Sequence, residues 1–125
     1  MSYRIRLSWP AGSAIATLDD SAESRALADA LPSMSTAQTW GEEVYFSLPV
    51  EQDVRDDAQQ VVDPGEVCFW VEGGALALPY GRTPISQGDE SRLVAPCNRL
   101  GRLEEDARVL ASVRDGDEIR VEVVD

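Results

Sequence analysis

Residues 74–86, GALALPYGRTPIS, contain the side chains of this sequence that are best suited to bind a ligand. Tyr80 offers a ring face and a hydroxyl, and Arg82 offers a planar guanidinium that hydrogen-bonds to anions and carbonyl groups. Gly81 lacks a side chain, so a ligand can approach the backbone there. Together with Thr83, these residues predict a binding rim at the end of a buried strand.

Three residues outside that segment complete the predicted site. Trp70, in the preceding strand, would form an apolar wall, and Arg92 and Asn98 would add polar groups from the following segment. An acidic protein with an arginine–aromatic pocket suits a small anionic or carbonyl-bearing ligand, or a peptide. The alternative is a plain strand end with a solvated arginine, in which Trp40 and Trp70 are core residues.

The absence of two residue types narrows the chemistry. The chain has no histidine, and its 11 basic residues are all arginine. It therefore lacks the commonest general base and metal ligand, and it lacks the lysine of Schiff-base and P-loop chemistry. We expect no cofactor and no metal site, since the acidic clusters lack the spacing of a calcium loop.

The remaining reactive groups are restricted by their positions. Glu42 or Glu43 could act as a general base beside Arg82, but adjacent strand residues point to opposite faces, so only one can face any site. Cys97 has no histidine partner and Cys68 lies in an apolar strand, so neither is expected to be a nucleophile. A disulfide between them is disfavoured in a cytoplasmic chain.

Composition limits the class of protein and its partners. Residues 1–125 are expected to form one domain, in which 43% of residues are hydrophobic and 27% charged. The net charge of -12 repels phosphate backbones, which argues against nucleic-acid binding. There is neither a run of about 18 apolar residues nor the apolar region of a signal peptide, so we expect a cytoplasmic protein without membrane contact.

The elements that would position these residues are mainly strands. Alternating apolar and polar residues predict strands over YRIRLSW, SAIATL, EVYFSL and EIRVEVV, the first two as a hairpin. Further strands are predicted through residues 67–71 and 75–78, and in the short segment NRLGRL, where Gly101 allows another backbone to come close. The segment RTPISQGDESRLVAPC, residues 82–97, is predicted to be irregular.

Two helical segments are predicted. The first runs from about Ser21 to Leu31, is capped by Asp20 or Ser21 and ends at Pro32. The second is a short helical turn in EDARVLASV. With about eight strands and few crossover helices, the sequence predicts a mainly β protein, a closed or nearly closed antiparallel barrel with one or two short helices and the first helix over one end.

Five short motifs follow one another in a characteristic order along the chain. They are WGEEVYF at residues 40–46, PGE at 64–66, YGRTP at 80–84, NRLG at 98–101 and GD at 116–117. This set and the order of the elements resemble the cyclophilins over nearly the whole chain, and more closely the small bacterial and archaeal cyclophilin-like proteins. The resemblance implies a cyclophilin-like antiparallel β-barrel.

The resemblance does not extend to the catalytic residues of cyclophilins. True cyclophilins isomerise the peptide bond before proline with an arginine that holds the prolyl carbonyl beside an apolar pocket. The resemblance places that arginine in TWGEEVYFSL, residues 39–48, which has neither arginine nor histidine. The matching loop DESRLVAPC, residues 89–97, lacks the family's tryptophan and histidine. We therefore expect standard prolyl isomerase activity to be absent or feeble.

Three functions remain open from the sequence. We favour a non-catalytic barrel that binds a small molecule or peptide in the groove at the rim. The first alternative is a weak or altered prolyl isomerase in which Arg82 replaces the missing arginine. The second alternative is an enzyme of another class that uses Glu42 or Glu43 together with Arg82. A shared fold does not decide among them.

Overall fold

The computed structural model describes residues 2–124, and all elements named below belong to that range. The strands are β1 Tyr3–Trp9, β2 Gly12–Leu18, β3 Ser33–Thr36, β4 Gln38–Thr39, β5 Glu43–Ser47, β6 Gln59–Val62, β7 Glu66–Trp70, β8 Ala75–Pro79, β9 Ser91–Leu103 and β10 Glu118–Val124. The helices are α1 Ala22–Asp29 and a 3₁₀ helix, Ala107–Ser112. Neither of these two helices is long and apolar enough to cross a membrane.

Nine of the strands form one antiparallel sheet, in the order β3-β10-β1-β2-β9-β7-β8-β5-β4, and β6 pairs with β9 outside this order. The end strands β3 and β4 are consecutive pieces of one segment, separated only by Ala37. The Ala37 N–H donates to the Asp117 carbonyl (2.7 Å), and its own carbonyl accepts from the Gly116 N–H (2.8 Å). One segment therefore joins both ends of the sheet into a nearly closed barrel, which confirms the predicted fold class.

Alternation along the strands separates the core from the surface. In β1, Ile5 and Leu7 are fully buried, whereas the alternating residues Arg4 and Arg6 are exposed. The helix α1 places the fully buried Leu27 in the same core. Ser21 caps this helix, because its hydroxyl oxygen accepts the N–H of Ser24 (3.1 Å).

The prediction of an irregular segment over residues 82–97 is wrong for its second half, since β9 is a continuous strand of 13 residues. The first part of β9 pairs with β6, and the second part pairs with β7 and β2. Residues 93–96 lie opposite a single β6 residue, Gln60, so β9 forms a bulge there. Pro96 lies in this bulge, where its missing N–H breaks no ladder bond.

Gly101 lies where β9 passes β2, as the sequence predicts. A Cβ at this position would lie 2.8 Å from the Cα of Leu18 and still closer to the carbonyl oxygen of Thr17. Both neighbours are backbone atoms, so the approach of the two strands depends on a residue without a side chain.

Candidate functional site

A small pocket opens on the outer face of the barrel wall. It has a volume of about 180 Å³ and is lined by Trp40, Glu43, Tyr45, Trp70 and Val94. Glu43 and Tyr45 come from β5, Trp70 from β7, and Val94 from the bulge of β9, while Trp40 precedes β5. The pocket is thus built by strands that are neighbours in space and distant in sequence.

The pleat of β5 and β7 decides which side chains reach the pocket. Val44 and Phe46 are fully buried in the main core, so Glu43 and Tyr45 point to the opposite face. Tyr45 and Trp70 pack against a second, smaller apolar cluster, whose buried members are Val62, Cys68, Ala77, Leu93 and Cys97. This cluster lies between the barrel wall and the β6–β9 pair.

Glu43 is the charged group of the pocket. Only 5% of its surface is exposed, and its Oε1 atom has no hydrogen-bond partner within residues 2–124. Burial raises the pKa of this carboxyl to about 7, because the ionised form loses hydration. A carboxyl that titrates near neutral pH inside a pocket is a candidate binding or acid–base group.

Two of the aromatic side chains that line the pocket, Tyr45 and Trp70, are held in place by different contacts. The hydroxyl of Tyr45 donates to Oε1 of Gln38 (3.0 Å). The Nε1 of Trp70 is buried and has no partner in the part of the chain that the structure describes, although buried indole N–H groups usually have one. The Trp70 ring lies against Gly73, where a Cβ would overlap ring atoms, so Gly73 fixes the position of this wall.

The two cysteines lie beside the pocket as buried thiols. Both are free. Burial, together with the nearby Glu43 carboxyl, raises the pKa of Cys97 to about 12, and burial raises the pKa of Cys68 well above its usual range. The reactive thiolate form of either residue is therefore scarce near neutral pH.

Three of the predicted rim residues lie around a different carboxylate, that of Glu42. The backbone N–H of Arg82 donates to Oε1 of Glu42 (3.2 Å), and a Cβ at Gly81 would overlap this carboxylate. Oε2 of Glu42 forms an ion pair with Arg108 (2.6 Å), whose guanidinium lies 5.2 Å from the centre of the Tyr80 ring. The structure therefore brings Tyr80, Gly81 and Arg82 together around a contact within the protein.

The other predicted polar residues hold loops in place. Thr83 is buried, and its hydroxyl donates to the carbonyl of Arg92 (2.5 Å), whose guanidinium pairs with Glu90 (3.1 Å). Asn98 is fully buried and makes three hydrogen bonds of 2.8 to 3.0 Å to atoms of residues 52–55. Asn98 thus anchors the long segment between β5 and β6.

Of the seven residues predicted to bind a ligand, Trp70 is the one that lines the pocket. Sequence patterns predict Glu43 as a candidate base and Trp40 as a core residue, but they do not single out Tyr45 or Val94. The alternation of EVYFSL contains the signal for Tyr45, which must share a face with Glu43. Val94 has no such signal, because it lies in the bulge that interrupts the pattern of β9.

Comparison with known proteins agrees with this architecture. A family model described as cyclophilin-like matches residues 3–122. The chain is similar to the hypothetical protein AF2241 from Archaeoglobus fulgidus, known from a solution structure, with 33% identity and a TM-score of 0.85 over 98% of this chain and 95% of that one. No curated protein matches the chain.

Proposed function

The chain belongs to the cyclophilin-like family, and from that premise we propose that it is a binding protein without prolyl isomerase activity. Its ligand is a small molecule or a side chain of a peptide, held in the pocket between β5, β7 and β9. The observation that carries this proposal is that two residues lining the pocket each have a buried polar atom with no hydrogen-bond partner within residues 2–124, Oε1 of Glu43 and Nε1 of Trp70. Buried polar groups are nearly always hydrogen-bonded, so a ligand that pairs with them completes the site.

The size of the pocket limits the occupant. Its volume of about 180 Å³ is below the roughly 300 Å³ at which pockets for drug-sized ligands begin. A single side chain or the head group of a metabolite fits this space better than a whole cofactor does. The half-exposed Val94 leaves the rest of a longer ligand free to extend over the surface.

The composition of the pocket argues against isomerase chemistry. Favouring a twisted prolyl amide needs a cation beside the prolyl carbonyl, and none of the five lining residues is basic. Arg82 is exposed, and its guanidinium contacts the carbonyl of Ser86 (3.4 Å). The two enzymatic alternatives both need Arg82 beside the substrate, and Arg82 is not among the residues that line the pocket.

A prolyl isomerase assay should therefore show no acceleration. We expect a proline-containing peptide to isomerise at its uncatalysed rate, over tens to hundreds of seconds, in the presence of the protein. An ordinary cyclophilin serves as the positive control in the same assay. Turnover near that of the control would contradict the proposal.

Blocking the pocket should abolish ligand binding without unfolding the protein. Metabolites and short peptides are screened by thermal shift, and each hit is retested on Val94→Tyr, which fills the mouth of the pocket. The matched control is Val54→Tyr, since Val54 is 57% exposed and lies outside the pocket. Hits that bind wild type and Val54→Tyr but not Val94→Tyr support the proposal.

The same experiment also tests whether the ligand binds instead at the rim around Arg82, as the sequence predicts. A ligand held by Arg82 should lose about 1.5–3 kcal/mol of binding free energy in Arg82→Ala, the typical worth of a hydrogen bond to a charged group. Hits that lose affinity in Arg82→Ala and keep it in Val94→Tyr would move the site from the pocket to the rim.

A further inference from the structure

The pocket combines three aromatic rings with one carboxyl group. Trp40, Tyr45 and Trp70 line the space with Glu43 and Val94, so none of the described residues that line it is basic. The faces of aromatic rings attract cations, tryptophan most strongly, and proteins hold quaternary ammonium groups in enclosures of this kind. We propose that the occupant is a small organic cation, an alkylated ammonium head group, an inference that rests on the proposed function.

Glu43 gives such a cation its electrostatic partner. Glu43 is 5% exposed, and its Oε1 atom has no hydrogen-bond partner within residues 2–124. A cation within about 4–6 Å favours the ionised carboxyl and lowers its raised pKa. Binding of the cation is therefore coupled to loss of the Glu43 proton, and each strengthens the other.

The other ionisable groups around Glu43 do not titrate near neutral pH in this pocket. Cys97 on β9 and Cys68 on β7 have raised pKa values and stay neutral near pH 7. The Tyr45 hydroxyl on the same strand is hydrogen-bonded to Gln38. Glu42 lies on the other face, where the hydrogen bond from Arg108 lowers its pKa. Between about pH 5 and 8, the titrating group in the pocket is Glu43.

The net charge of the chain and the Nε1 atom of Trp70 further define the chemical class of the ligand. A net charge of -12 draws cations towards the surface and repels anions. The Nε1 of Trp70 is a hydrogen-bond donor without a partner among residues 2–124, so an oxygen atom close to the cationic nitrogen would satisfy it. Choline has both features, and the trimethyllysine side chain of a peptide has the cation alone.

Calorimetric titration of the whole protein with matched probes tests the inference. The probes are choline, its uncharged isostere 3,3-dimethyl-1-butanol, and trimethyllysine with both ends blocked. At about pH 8 we expect choline to bind at least tenfold more tightly than the isostere, and its affinity to fall by up to tenfold per pH unit below about 7. The ratio of choline to trimethyllysine affinity distinguishes a free metabolite from a peptide side chain.

Two neighbouring carboxylates provide the matched variants. Glu43→Gln should weaken choline at least tenfold and leave the isostere unchanged, whereas Glu42→Gln, on the opposite face, should leave both unchanged. Failure of wild type to bind choline or trimethyllysine, or equal affinities for choline and its isostere, overturns the inference. The proposed binding function is tested independently of this inference. It is supported if Val94→Tyr prevents binding of the screened ligands, and it is wrong if Val94→Tyr prevents binding of none.

Discussion

Replacing Glu43 by glutamine is expected to raise the free energy of unfolding by about 3 kcal/mol at pH 8. The folded-state pKa of about 7 lies above the ordinary value of 4.5, so ionisation of this carboxyl opposes folding. The penalty is absent below about pH 4.5, grows as pH rises to about 7, and is constant above that. Glutamine keeps the shape and is never ionised, so it removes the penalty.

Urea unfolding at two pH values measures this effect. At pH 5 the gain should be less than about 1 kcal/mol, because little of the penalty is present there. Glu42→Gln is the control, since it removes the ion pair with Arg108 and should give no gain at either pH. An equal gain at both pH values, or none at pH 8, would show that Glu43 is not an isolated buried acid.

Replacing Gly101 by alanine is expected to lower the free energy of unfolding by about 3 kcal/mol, the upper end of typical overpacking costs. The added Cβ would overlap the Thr17 carbonyl oxygen and press on the Cα of Leu18. No flexible side chain can yield, so β9 and β2 must separate where the register pairs Gly101 with Leu18. The cost therefore falls on the ladder between β2 and β9.

A glycine whose added Cβ would meet no backbone atom within 4 Å, Gly88, provides the comparison for this prediction. A Cβ at Gly88 would make only an ordinary contact, 3.4 Å from Oε1 of Glu90. Gly88→Ala should therefore change stability by less than about 0.5 kcal/mol. Thermal or urea unfolding measures the stability of both variants. Similar stabilities for the two would mean that β2 and β9 can move apart at little cost.

The fold is predictable from the sequence wherever one face of a strand is buried and the other is exposed to solvent. The alternation in β1 and β10 and the need for a glycine at residue 101 follow from local patterns. The first half of β9 does not, because it bulges and carries Pro96. A bulge shifts the side-chain alternation, and the two-residue period that identifies a strand is lost there.

The candidate site is less predictable because its groups come from distant strands. Arg82 and Tyr80 are chemically suitable residues, yet Glu42 and Arg108 occupy the space around them. Glu43 shares its pocket with Trp70 of β7 and Val94 of β9, which no local pattern of β5 reveals. Sequence identifies residue types that can bind, and tertiary packing decides which of them lack a partner.

The segment that closes the barrel also affects what other chains can do. Open sheets present unpaired N–H and C=O groups along their edges, and long edges invite strand addition by another molecule. The end strands of the main sheet are four and two residues long, and Asp115 caps the second by accepting the N–H of Thr39 (3.0 Å). These short edges offer few backbone groups to which a strand of another molecule could hydrogen-bond. The segment from Ser33 to Thr39 therefore disfavours edge-to-edge self-association.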